Sequence, residues 1–197
     1  MWAELNITEA GVSIAPITER PEAGLGMEEQ KIRKKRYLSI PAKEERVVLT
    51  PAEYEIKKVG PKAYKLAQLK KKYDDKVPAH IAIPFNVFDR LIDEDKELRE
   101  LIEGLPFLRN RDVVAKRLKE IRARIERLKI SADIQATIIE AVKRHIGDDK
   151  RLILRSTTNV EDLEDYPGAG IYESVINLDR QDIFKDMLRV YSSFYTE

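Results

Sequence analysis

Between Asn110 and Gly147 the spacing of apolar residues writes out two helices, and they constrain everything around them. Val114, Leu118, Ile121, Ile125 and Leu128 recur every three or four residues, which puts them on one stripe of a helix with charges around the remainder. Asn110 stands where an N-cap belongs, its side chain placed to accept from amides of the first turn. A second stripe, Ile134, Ile138, Val142 and Ile146, follows Ser131 and meets a C-terminal stop at Gly147. Two amphipathic helices must bury their stripes against something. The nearest apolar runs are "RLILRS" (151–156), which reads as a buried strand, and "YESVINL" (172–178), a second strand.

The same reading extends outward. "VVLTPAEYEIKKVG" (47–60) reads as a strand and turn. "PKAYKLAQLKKKY" (61–73) reads as a helix with Pro61 in its first turn and Ala63, Leu66 and Leu69 on one face. "VPAHIAIP" (77–84) is a short apolar strand between prolines, and "FNVFDRLI" (85–92) is helical. A last amphipathic helix runs through Ile183, Met187, Leu188, Tyr191 and Phe194. The order β-α-β-α-α-α-β-loop-β-α gives a mixed α/β domain, of the α+β kind, over residues 47–197. Residues 1–46 differ. They read as two short extended pieces around Gly11, then a glycine-bearing basic stretch, Lys31 to Arg36, flanked by Glu28, Glu29, Glu44 and Glu45. That is a linker or the tail of a preceding domain.

Composition removes several function classes. The 36 basic and 35 acidic residues leave a net charge of +1, so there is no global argument for nucleic acid. No cysteine is present, which excludes disulfides and thiolate metal sites and favours a cytoplasmic setting. Only His80 and His145 could offer imidazole, and they stand far apart, so no metal site is assigned. No apolar run reaches the roughly 20 residues a membrane span needs.

The segment "RSTTNVEDLEDYPGAGIYES" (155–174) carries the best candidate chemistry. A strand-end arginine, Arg155, can fork two N–H donors onto phosphate oxygens, which a lysine cannot do. Ser156, Thr157 and Thr158 add hydroxyls. Gly168 and Gly170 lack Cβ, so backbone there can approach an anion and aim its amides at it. Against this stand Glu161, Asp162, Glu164 and Asp165, which repel a bare phosphate unless they face away. On the residues alone, a phosphate loop and a surface turn with Arg155 paired to Glu161 or Asp162 both stay open. Gly60-Pro61-Lys62 is a turn into a helix start with a lysine in the first turn, an anion site in outline and also a common surface feature. His145 reads as a surface residue at a helix end, and His80 as structural.

Taken in order, "KKVGPKAYKLAQL" (57–69), "VPAHIAIPFNVFDRLI" (77–92) and "LRSTTNVEDLEDYPGAGIYESVINL" (154–178) resemble the ATP-binding domain of the phosphoenolpyruvate synthase and pyruvate phosphate dikinase family. The "IPFNVF" stretch looks most similar to the glucan water dikinase branch. The resemblance implies the first part of an ATP-grasp nucleotide-binding domain with a helical insertion. It implies Lys62, Arg155, Ser156 and Thr157 as contacts to the phosphates of ATP, with Arg155 in the catalytic role, and the loop around Gly168 and Gly170 as a phosphate-covering lid. Two departures stand out: Pro61 replaces a glycine beside the lysine, and His80 stands where the family often has glycine.

The family passes the β-phosphoryl group of ATP to a histidine on a separate domain, leaving AMP, and Mg²⁺ ligands come from a half of the site outside this chain. The resemblance thus implies a fragment of a multidomain dikinase, inactive alone, whose partners are ATP and the phosphohistidine domain of the same parent, with pyruvate or a glucan as acceptor. Residues 1–46 would then trail from that phosphohistidine domain. Two alternatives come from other classes: a non-catalytic module that binds a nucleotide or a partner and regulates, and a helical interaction domain working through residues 85–147.

Overall fold

The computed structural model describes residues 2–8, 11–17, 44–158 and 172–196. It divides into two compact units, residues 1–38 and residues 39–197. In the first, β1 (Trp2–Thr8) pairs antiparallel with β2 (Gly11–Ile17), in a register running from Trp2 opposite Ile17 to Thr8 opposite Gly11. The extended pieces read around Gly11 are therefore a hairpin. The basic run at 31–36 lies outside the described residues.

The second unit is helix-rich and mixed α/β. Its helices are α1 (Ile56–Lys72), α2 (Phe85–Asp93), α3 (Lys96–Gly104), α4 (Arg111–Ile125), α5 (Ala132–His145) and α6 (Ile183–Ser192). A small antiparallel ribbon, β3 (Leu152–Arg155) with β4 (Ser174–Leu178), completes it, with an irregular register between Leu152 and Leu154.

The caps read from the sequence form as expected. Asn110 Oδ1 accepts from the amides of Asp112 and Val113 at 2.9 and 3.2 Å, and Gly147 takes φ +101° just past α5. Helix α3 was not separated out in the sequence, although Asp95 caps it by accepting from the Leu98 amide at 3.0 Å. Asp95 also meets Arg124 of α4 at 2.8 Å, tying the two helices together.

Three apolar clusters hold the unit. The largest joins Val87 and Leu91 of α2, Ile134, Ile138 and Val142 of α5, the ribbon ends Leu152 and Leu178, and Met187 of α6. A second, with Leu98, Ile121 and Ile125 fully buried, locks α3 against α4. The third is small: Leu49, Tyr54, Val59, Ala67 and Ala82. It seats the start of α1.

Four expectations need correction. The run 47–60 is not a strand and turn. Only Leu49 makes a β-bridge, to Ala82, and the chain then forms a 3-10 turn (Pro51–Glu53) and enters helix at Ile56. The run 77–84 likewise contributes just that bridge, because two prolines and a single antiparallel partner leave no ladder to extend. Past the Gly60 kink of α1 the buried position is Ala67, while Leu69 is 49% exposed. The helix lays Ala63, Tyr64 and Ala67 on the small third cluster, and Leu69 falls off that face. Finally, β3 is half-buried rather than buried: Leu152 points in, and Ile153 is 63% exposed beside Ile176 at 69%. A two-stranded ribbon covered by helices on one side leaves alternate residues outside.

Candidate functional site

The start of α1 is where distant sequence converges. Gly60 has φ +80° and ψ 164°, non-helical values that split α1 into a first turn, 56–59, and the helix proper beginning at Pro61. That backbone region is essentially open to glycine alone. The reason for glycine is spatial as well. A Cβ at Gly60 would lie 2.5 Å from Thr157 Oγ1 and 2.8 Å from the Thr158 carbonyl oxygen. The Thr157 hydroxyl donates to the Val59 carbonyl at 2.7 Å, across 98 residues of sequence. So the turn "VGPK" and the strand end "RSTT" are one packed junction.

Around the junction, side chains sort by chemistry. Val59 is fully buried and anchors the turn. Pro61 occupies the first position of the helix proper, where its missing N–H costs nothing, and Lys62 follows in the first turn. Lys62 is half-buried, whereas Lys57 and Lys65 nearby are exposed. Across the contact, Arg155 is exposed at the end of β3, and Ser156 and Thr158 are buried at 3% and 8% exposure. The junction thus joins the segment that bears Lys57, Lys58 and Lys62 to the segment that bears Arg155, Ser156, Thr157 and Thr158, through contacts of Thr157 and Thr158 with Val59 and Gly60. Helix starts and strand-end arginines are groups of the kind that bind anions.

The site is braced from two directions. Upstream, Glu44 receives Arg46 Nε at 2.9 Å and Lys58 Nζ at 3.2 Å, and Lys58 also meets Glu55 at 2.6 Å. Hydrogen bonding from Arg46 holds the Glu44 carboxyl far below the usual carboxylate range, with Lys58 adding to it. Thr50 and Glu53 form a capping box, and the Thr50 amide and hydroxyl hold the Glu53 carboxyl low as well. Downstream, the Glu173 amide donates to Ser193 Oγ at 3.1 Å and its carboxylate meets Arg189 at 2.6 Å. Tyr172 packs edge-on against Phe194, with ring centroids 5.1 Å apart. Thr158 and Tyr172 are each held to the fold.

Beneath the turn, Tyr54 and His80 pack ring to ring at 5.8 Å. Tyr54 OH and His80 Nε2 are buried with no hydrogen-bond partner among the described residues, while His80 Nδ1 lies 3.0 Å from the Pro78 carbonyl oxygen. Burial pushes the Tyr54 hydroxyl well above the ordinary tyrosine value. His145 is exposed at the end of α5.

Of the residues read from the sequence, Lys62, Arg155, Ser156 and Thr157 belong to the two segments that the junction joins. Gly168 and Gly170, and the acidic run from Glu161 to Asp165, lie outside the described residues. Sequence reasoning read Gly60 only as part of the Gly60-Pro61-Lys62 turn, without its contact to the strand end, and gave no part to Val59 and the Glu44–Lys58 clasp. A glycine directly before a helix-starting proline was the available signal for Gly60. Among the described residues, no group of three or more His, Asp or Glu side chains is placed to hold a metal ion, and no helix is long and apolar enough to cross a membrane.

Residues 56–197 match the family model of the pyruvate phosphate dikinase AMP/ATP-binding domain. The match covers most of the chain, from the first turn of α1 through β4 and α6, and the chain belongs to that family.

Proposed function

We propose that this chain is the ATP-binding portion of a multidomain dikinase, and that it supplies one side of an ATP-grasp site. The observation that carries the reading is the Gly60 junction, which packs the lysine-bearing helix start against the arginine-bearing strand end. Lys62 and Arg155 bind the phosphates, Ser156 and Thr157 orient that strand end, and Gly168 and Gly170 belong to the loop that covers it. The parent enzyme transfers the β-phosphoryl group to a histidine on another domain and then to pyruvate or a glucan, with Mg²⁺ held by residues outside this chain. Phosphoryl transfer depends on positioning and charge neutralisation. That is what a preformed cationic junction offers. Arg155 is assigned the larger share because its fork can engage two phosphate oxygens at once.

The test is calorimetric. ATP or its β,γ-imido analogue is titrated with Mg²⁺ into the full parent protein, carrying either the wild-type residues, Arg155→Ala or Lys62→Ala. Each substitution should weaken binding, Arg155→Ala by about 1.5–3 kcal/mol, the range for a hydrogen bond to a charged group. Unchanged affinity in both variants, with binding intact in the wild type, would show that the phosphates sit elsewhere.

A further inference from the structure

We propose that the outward face of α4, with the turn that precedes it, is a docking surface for an acidic polypeptide segment that carries an apolar side chain. The charge distribution points there first. Residues 109–129 hold nine Lys and Arg against three Asp and Glu, a local excess of six positive charges in a chain whose net charge is +1. The remainder of the molecule is therefore acidic in balance, and α4 is one of two strongly basic helices: α1 carries seven Lys and no Asp or Glu, with Lys58 and Lys70 already paired to carboxylates.

Packing does not use these charges. The apolar stripe of α4 faces inward through Ile121 and Ile125. The flank towards α3 is matched: Arg124 pairs with Asp95 and Glu97, both at 2.8 Å, and an Arg117 guanidinium nitrogen would lie 3.3 Å from a Cβ at Gly104. On the other flank Glu126 accepts from Ser192 at the end of α6. What remains is the outer face. Arg111, Lys116, Lys119 and Arg127 are exposed there. Of the nine basic side chains, Arg124 alone makes an ion pair among the described residues. Partners are within sequence reach, since Asp112 and Glu120 each stand four residues from Lys116, yet the cations extend away.

The same face carries an apolar element at its start. Phe107 is 83% exposed, the most exposed of the large hydrophobic side chains among the described residues, in the turn Leu105–Phe107 that leads to α4, and Val113 in the first turn is 45% exposed. An exposed aromatic side chain two and four residues from the exposed Arg109 and Arg111 fits a protein partner that brings carboxylates and one apolar group. A nucleic acid fits less well. Asp112 and Glu120 interrupt the positive face and would repel a continuous phosphate backbone, and a single aromatic is a poor stacking platform. This reading stands apart from the nucleotide site, which lies on other elements.

The test uses the full 197-residue chain and a fluorescein-labelled peptide of repeated Glu-Glu-Leu triplets, followed by anisotropy at low and raised salt. Saturable binding that weakens with salt is expected. The double variant Lys116→Glu/Lys119→Glu should lose affinity on the order of tenfold or more, and Phe107→Ser should lose on the order of tenfold. A control double reversal elsewhere, Lys143→Glu/Lys185→Glu, makes the same change in net charge and should leave binding within a factor of about two. Circular dichroism confirms that each variant is folded. The proposal is overturned by absence of peptide binding at low salt, by equal losses in the control, or by single- or double-stranded oligonucleotides that displace the peptide at lower concentration than unlabelled peptide does.

Discussion

Gly60→Ala is the most informative single change, because one methyl group tests backbone conformation and long-range packing together. Two costs add. The first is conformational: φ +80° with ψ 164° lies in a region that non-glycine residues occupy only at about 1–3 kcal/mol. The second is steric. The new Cβ would lie 2.5 Å from Thr157 Oγ1 and 2.8 Å from the Thr158 carbonyl oxygen, and forcing a methyl into packed surroundings typically costs about 1–3 kcal/mol. Together these give roughly 2–6 kcal/mol, a large part of the about 5–15 kcal/mol that holds a domain folded. At about 2–4 °C per kcal/mol for a chain of this size, the melting temperature should fall by roughly 5–20 °C. Thermal and urea unfolding followed by circular dichroism give the number. A double-mutant cycle with Thr157→Ala then separates the terms. Removing the hydroxyl relieves the shorter contact and leaves the Thr158 carbonyl in place, so rescue should be partial. If Gly60→Ala changes stability by less than about 0.5 kcal/mol, the ordinary scatter of surface substitutions, then the turn does not pack on the strand end and the reasoning about the site collapses with it.

Other consequences are simpler to check. Ile121, fully buried between α3 and α4, should cost about 2–5 kcal/mol on truncation to Ala, while Val113→Ala on the exposed side of the same helix should stay within about 0.5 kcal/mol; chemical unfolding of both distinguishes the faces. Asn110→Ala removes two accepted amide bonds at the start of α4 and should cost about 1 kcal/mol, with Asn110→Asp close to neutral. Acid should destabilise the protein in a defined window. Glu44, through Arg46, and Asp95, through Arg124, have carboxyls held below their ordinary values in the folded state. Their contribution is complete above the ordinary carboxylate range and is lost as pH falls through the lowered values, so melting temperatures should drop below about pH 4.5. Glu44→Gln should shallow that acid limb, and a variant whose limb runs parallel to the parent's would remove Glu44 from the account.

How much of this was legible in the sequence depended on how local the cause was. The stripes of α4 and α5, the Asn110 cap and the Gly147 stop form as read, because each is decided within one or two helical turns. Helix α3 was missed although its cap is an aspartate. Its apolar residues, Leu98, Leu101 and Ile102, are few, and they count only when α4 lies against them. The two apolar runs at 47–50 and 77–84 read as strands and yield one bridge, since a strand is defined by its neighbours and a short run carries no information about them. The face of α1 was misread for a related reason. Leu69 has the spacing of a core residue, yet the neighbouring cluster of Tyr54, Val59 and Ala82 is shallow and closes over Ala67 instead.

The site shows the same division, with a useful inversion. As strings, the lysine turn and the arginine strand end were each ambiguous, and nothing local could resolve either one. What joins them is a glycine whose conformation makes sense only when residues 98 positions away are set against it. A glycine serving only as a helix stop, like Gly147, meets its nearest side chains within three residues. Gly60 instead meets the hydroxyl and carbonyl of the very segment that carries Arg155. The sterically demanding residue in this junction is the one with no side chain, and it requires the two cationic segments to approach each other whether or not an anion is present. On the proposed reading, binding energy then need not be spent on assembling that side of the site, which is the condition under which the phosphate contact proposed for Arg155 would act at full strength.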